Sequence, residues 1–125
     1  MKKAVNSEKA PAAVGPYSHA NTANGFVFVS GQLGLDPETG VMAEGTLGQA
    51  AQGFKNLENV LEACGSSTGL VVKTTVFLTD ISEFAEVNKL YAEVFASECP
   101  ARSCVQVAAL PMGASFEIEA IAVQA

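Results

Sequence analysis

Arg102 is the residue in this chain best suited to grip a small anion. It lies in the run PARSCVQV, between Pro100 and a β-branched stretch, in a chain of 125 residues with only seven Lys and Arg. A guanidinium stays charged at any physiological pH, and its fork matches a carboxylate with two parallel hydrogen bonds. Two partners fit that pattern: one of the chain's own acids, which makes the arginine structural, or the carboxylate of a ligand. Cys104 follows two residues later and so points to the same face of an extended strand. It has no neighbouring histidine to activate it, and a small buried role fits it better than that of a nucleophile.

The run SFEIEAIAV carries the second candidate. A period of two puts Phe116, Ile118, Ala120 and Ala122 on one face, and Glu117 and Glu119 on the other with Ile121 and Val123. A carboxylate on a half-apolar face can have a raised pKa and carry a proton, whereas on a solvated face it does neither. Periodicity does not choose between the two acids. Tyr17 follows Gly15-Pro16 and offers a phenol on a stiff arm, or a packing ring. Ser30 precedes Gly31, where a ligand can approach closely, but lacks the Gly-x-Ser-x-Gly setting of a hydrolase nucleophile. Asn88 borders a pocket or ends a polar helix face. His19, the only histidine, reads as structural.

The elements that must position these residues follow from pattern. Residues 1–20, rich in Ala, Pro and Gly, read as an ordered but irregular arm. Phe26 to Leu33 reads as a strand, and Asn24-Gly25 pairs it with His19 to Ala23 as a hairpin. Asp36 to Gly40 is a turn. Thr46 to Cys64 is a helix with Leu47, Ala50, Ala51, Phe54, Leu57 and Leu61 as its apolar stripe and Gly65 as its stop. Val71 to Thr79 is a strand. Asp80 or Ser82 caps a second helix with the stripe Phe84, Val87, Tyr91, Val94 and Phe95. Ser103 to Leu110 and Ser115 to Val123 are strands joined around Pro111 and Gly113. The order predicts an α+β domain spanning 1–125, a mixed sheet with two helices on one face. Val76 and Leu78 point one way and Phe77 the other, so the uncovered face needs further copies of the chain.

Composition agrees. Hydrophobic residues make up 49% against 16% charged, which is apolar for a monomer of this size and implies surface hidden in an oligomer. A net charge of −6 argues against nucleic acid as a partner. Three cysteines without CxxC spacing signal neither disulfides nor a zinc site. No stretch is long and apolar enough for a membrane, and Lys2-Lys3 leads into no apolar signal core, so a cytoplasmic location is expected.

Four stretches together resemble the reactive intermediate deaminase (Rid) family: APAAVGPYS from Ala10, FVSGQLGLDPETG from Phe28, KTTVFLTDISEFAEVN from Lys73, and PARSCVQVAALPMGASFEIEAIA from Pro100. They span nearly the whole chain, and the last is the most specific. The resemblance implies a chorismate-mutase-like homotrimer, with sheets forming an inner β-barrel, helices outside, and clefts lined by neighbouring protomers. It implies that Arg102 grips the substrate carboxylate and Glu117, rather than Glu119, positions or activates water. It further implies that the Cys104 backbone bonds the ligand and that Tyr17, Ser30 and Asn88 line the pocket.

The implied reaction is cofactor-independent and metal-free. A 2-enamino acid such as 2-aminoacrylate or 2-aminocrotonate tautomerises to the 2-imino acid, water adds, and ammonia leaves a 2-oxo acid. Rival readings are a trimer that binds small 2-oxo acids without turnover, a nucleic-acid role, and a chorismate mutase, for which the chain has few positive residues. Departures from the family pattern fall at the pocket rim. Only ASEC separates Phe95 from Pro100, Cys99 replaces a frequent aromatic, and Ala109 and Met112 replace frequent basic residues.

Overall fold

The computed structural model describes residues 1–125 and shows one mixed six-stranded sheet with two helices packed on one of its faces. The strands are β1 (Lys3–Val5), β2 (Ala20–Ala23), β3 (Phe26–Leu33), β4 (Val71–Leu78), β5 (Ala101–Gln106) and β6 (Phe116–Val123), and the helices are α1 (Gly45–Ala63) and α2 (Phe84–Val94). Sheet order is β1-β2-β3-β6-β4-β5, and only β4 and β5 run parallel. A parallel pair cannot be joined by a hairpin, so α2 crosses between them as the helix of a βαβ unit. No helix is long and apolar enough to cross a membrane.

The hairpin forms as its turn chemistry dictates. Asn24 and Gly25 both take positive φ, 51° and 79°, the pair a two-residue primed turn requires. The arm before it is more regular than the Pro-Gly pattern predicts, because Lys3–Val5 adds an edge strand to β2. His19 fastens the rest. It is buried, its Nδ1 accepts from the Ser7 N–H at 2.9 Å, and its Nε2 donates to the Pro11 carbonyl at 2.7 Å. Both ring nitrogens are therefore occupied, and the histidine is structural.

In α1 the buried stripe runs through Ala50, Phe54, Leu57, Val60 and Leu61, while Leu47 and Ala51 face solvent. The stripe is rotated from the predicted one because polar residues share the inner face. Asn56 donates to the carbonyls of Leu33 and Leu35 at 2.9 Å each, and Gln49 accepts from the Ser115 N–H at 2.8 Å. These bonds satisfy loop backbone that apolar residues would have left unpaired. At the other end, Gly65 at φ 72° ends the helix, and the Ser66 N–H returns to the Leu61 carbonyl.

Asp80 caps the single 3₁₀ turn that leads into α2, accepting from the N–H and the hydroxyl of Ser82. Strand β5 ends at Gln106, four residues short of the expected Leu110, as the chain leaves the sheet toward the turn at Pro111–Gly113.

The core lies between the sheet and the two helices, where Val27, Val76, Leu78, Phe116, Ile118 and Ala122 are buried against Phe54, Leu57 and Leu61. The opposite face is bare. Phe26, Phe28 and Val105 on it are 43%, 46% and 43% exposed, an apolar surface with nothing from its own chain to cover it.

Candidate functional site

Register assigns the two principal candidates to opposite faces of the sheet. Arg102 pairs with Thr74, and Thr74 with Ala120; both partners are buried on the helix-covered side. Glu117 pairs with Phe77 and Leu33 and, by alternation with buried Phe116 and Ile118, lies on the bare side. A single chain does not bring the guanidinium and this carboxylate together.

On the covered side, Arg102 lies on edge strand β5 with its side chain against α2. Its Nη1 donates to Asn88 Oδ1 at 2.6 Å, and its Cζ sits over the rings of Tyr91 at 4.6 Å and Phe84 at 5.0 Å. No carboxylate of the chain reaches it: the ion pairs are Lys55–Glu58 and Lys89–Glu86, both on the surface. An open cavity of about 390 Å³ adjoins it, lined by Asn88, Tyr91, Ala92, Phe95, Cys99 and Pro100 among others. Of the two partners the sequence left open for Arg102, an internal acid is excluded.

Cys104 shares that face and packs against the core. Burial pushes its thiol above the ordinary value, and the positive charge of Arg102 only partly opposes this. A protonated, packed thiol is a poor nucleophile. Its backbone is differently placed. The Val107 N–H bonds inward to the Leu78 carbonyl, so alternation along β5 leaves the Cys104 N–H on the open edge of the sheet.

On the bare side, a bulge in β3 shapes the other half. Val29 pairs with Ala120 and Gln32 with Ile118, so three steps along β3 match two along β6, and Ser30-Gly31 forms the irregular stretch. Glycine at position 31 leaves room for the Glu117 carboxyl group in its present position, since a Cβ there would collide with it and force that side chain to move. Burial raises the pKa of Glu117 above the usual carboxylate range, and the neighbouring charge of Glu119 pushes the same way. Ser30 is an anchor for the arm: its hydroxyl donates to the Ser18 carbonyl at 2.6 Å and its N–H to the His19 carbonyl at 2.9 Å. That ties down Tyr17, whose side chain stays half exposed. Farther along the same face, Phe28, Lys73, Thr75, Glu119 and Ile121 help to line a second cavity of about 310 Å³.

The candidates on the sheet and α2 thus fall into two groups, Arg102, Asn88 and Cys104 on one side and Glu117 beside the Ser30-Gly31 bulge on the other, while Tyr17 lies on the arm that Ser30 anchors. Phe84 and Tyr91 were legible in the sequence only as core residues of α2, although their spacing around Asn88 was a usable signal.

The chain matches the family model described as Endoribonuclease L-PSP over residues 7–124. It is 52% identical to the chloroplastic Reactive Intermediate Deaminase A of Arabidopsis thaliana over 97% of this chain, but spans only 65% of that protein's length. It is 47% identical to the 2-iminobutanoate/2-iminopropanoate deaminase of Mus musculus, covering 99% of this chain and 93% of the relative. Among solved structures, E. coli TdcF with bound serine superposes with a TM-score of 0.94 at 40% identity, over 98% of this chain and 99% of that one.

Proposed function

The chain belongs to the Endoribonuclease L-PSP family, which holds the reactive intermediate deaminases, and from that premise we propose that it hydrolyses 2-imino and 2-enamino acids to 2-oxo acids and ammonia. The observation that carries the reading is Arg102, ordered beside a cavity with no acid of its own chain to neutralise it. A small carboxylate is the complement to that fork. The names of the mouse and Arabidopsis relatives supply the reaction class, and the serine bound by E. coli TdcF is a small molecule with a carboxylate.

The working unit is a homotrimer with the bare faces turned inward as a barrel and each site formed where two subunits meet. Three features support this: the apolar bare face, the open edge of β5, and the division of the candidate residues between two faces. In such a cleft, Arg102 and the Cys104 N–H of one subunit hold the substrate carboxylate. Glu117 of the next, beside Gly31 and the Tyr17 arm, orients water at the imine carbon. Water adds to the C=N bond, and Glu117 relays a proton from the adding water to nitrogen. In the tetrahedral adduct a second proton passes from the new hydroxyl to nitrogen, the C–N bond breaks, and ammonia departs as the 2-oxo acid's carbonyl forms. A carboxyl with a raised pKa serves this relay, since burial and the charge of Glu119 make it hold a proton more readily than a solvated carboxylate does. The rest of the rate enhancement comes from holding the reacting groups in place.

A ribonuclease reading, which the family's description invites, is less well supported. The chain carries a charge of −6, and both nitrogens of its only histidine are engaged in the fold. The three cysteines are unpaired, which favours the reducing cytoplasm.

Arg102→Ala should reduce kcat/KM for 2-iminobutanoate by about 10³-fold, the loss typical of an unpaired carboxylate in a closed site. A coupled assay that generates the imine in situ and follows its disappearance measures this. Equal rates for variant and wild type would remove Arg102 from the mechanism. Turnover absent in wild type, with 2-oxobutanoate still bound, would make the protein a carrier.

A further inference from the structure

Arginine side chains on a sheet edge are long and mobile, and an ordered one needs something to hold it. The usual device is an acid, and α2 has acids to offer in Glu86 and Glu93. Neither is used on Arg102; Glu86 instead pairs with Lys89 at 3.3 Å. What α2 presents is Phe84, Asn88 and Tyr91, spaced i, i+4 and i+7, a single stripe on one side of the helix.

Each member of the stripe is neutral and touches the guanidinium: two rings at 5.0 and 4.6 Å from Cζ, and an amide oxygen 2.6 Å from Nη1. Tyr91 is itself held. Its hydroxyl shares a 2.7 Å hydrogen bond with Thr74 Oγ1, and its ring meets Phe95 with centroids 4.6 Å apart and Phe54 edge-on at 6.1 Å. Thr74 in turn is the residue paired with Arg102 in the sheet, so the contacts close into a loop: Arg102, Tyr91, Thr74 and back across β4–β5. Five N–H donors leave the guanidinium, and Asn88 occupies one.

We propose that α2 is a charge-neutral clamp, in which Phe84 and Tyr91 are positioning residues that fix the Arg102 guanidinium while its positive charge stays free for a ligand carboxylate. An acid in the same place would hold the side chain equally well but would compete with the ligand for the fork. Aromatic faces and an amide hold the group in place without that competition, and Arg rather than Lys is needed because only a flat cation lies against a ring and still offers a bidentate edge. The clamp rests on the reading of Arg102 as a carboxylate grip.

The test is calorimetric titration of the assembled protein with 2-oxobutanoate, alongside KM and kcat for 2-iminobutanoate. Asn88→Asp is nearly isosteric and places a carboxylate on Nη1. It should weaken binding at least about tenfold and raise KM to match, with kcat nearly unchanged and the melting temperature equal to or above that of wild type. Tyr91→Leu should weaken binding roughly tenfold, and Tyr91→Phe, which keeps the ring face, should recover most of it. Wild-type affinity in Asn88→Asp would overturn the clamp, and so would a Phe variant as weak as the Leu variant. Should Tyr91→Leu fail to fold, the Asn88→Asp result decides alone. Arg102→Ala separates the two levels: if it binds 2-oxobutanoate as wild type does, the grip itself is wrong, whereas if it alone loses binding, only the clamp is.

Discussion

The two faces of the sheet treat their ionisable groups in opposite ways. On the helix-covered face, Arg102 is exposed and is held by uncharged partners, two aromatic rings and an amide oxygen. On the bare face, Glu117 is half-buried next to another acid, and both influences work against its ionised form. One group is kept permanently charged and the other is made easy to protonate. A deaminating site needs that division: an unchanging charge for the carboxylate and a changeable one for the proton. Neither group finds its complement inside its own chain, and the sheet between them keeps them apart.

The sharpest way to break this comparison is to distribute it. If each site is shared between subunits as proposed, Arg102→Ala and Glu117→Gln should each be nearly inactive when prepared alone. Co-refolded in equal amounts they should regain activity at about one quarter of the sites, because an intact Arg102 then faces an intact Glu117 by chance of one-half times one-half. Activity measured after mixing, beside each variant refolded alone, reads this out. No recovery would mean that the two residues act within one subunit or not at all.

A smaller effect is expected at Gly31. Gly31→Ala puts a methyl group where the Glu117 carboxyl lies, with the carboxyl carbon only 2.7 Å from the new Cβ, so the acid must swing away. Turnover should fall about tenfold through kcat, with KM little altered if Arg102 is the carboxylate grip. A loss of folded protein would also lower apparent kcat at unchanged KM, so a melting curve and a titration of 2-oxobutanoate binding sites, both expected to match wild type, separate the two.

The smallest effect is one of stability. The pKa of Glu117 is raised in the folded protein, so its burial is tolerated below the unfolded-state carboxylate pKa and becomes costly as pH rises through the folded value. Glu117→Gln removes that cost. Its melting temperature should exceed that of wild type at pH 8, and the gap should close as pH is lowered toward 4. A gap independent of pH would show that Glu117 is well solvated and unsuited to proton transfer.

Much of the fold was legible because local chemistry specifies it. Asn24-Gly25 makes its turn wherever it occurs between strands, and the alternation in Phe116–Val123 assigned its faces correctly. The α1 stripe was misread where Gln49 and Asn56 turn inward, since their reason for burial is backbone in β3 and beyond, far away in sequence. Strand β1 was missed because three ordinary residues become a strand only when β2 offers an edge.

The sequence by itself determined the residue types and their local spacing: a guanidinium that cannot be discharged, a carboxylate alternating with apolar residues, and a family pattern linking them. The choice of an internal acid or an outside ligand as partner to Arg102 was beyond it, because that depends on which side chains α2 turns toward β5. Nor did the sequence reveal that Arg102 and Glu117 look out from opposite sides of one sheet. Strand order and register fix that, and both arise from contacts between residues tens of positions apart, to which no local pattern is sensitive.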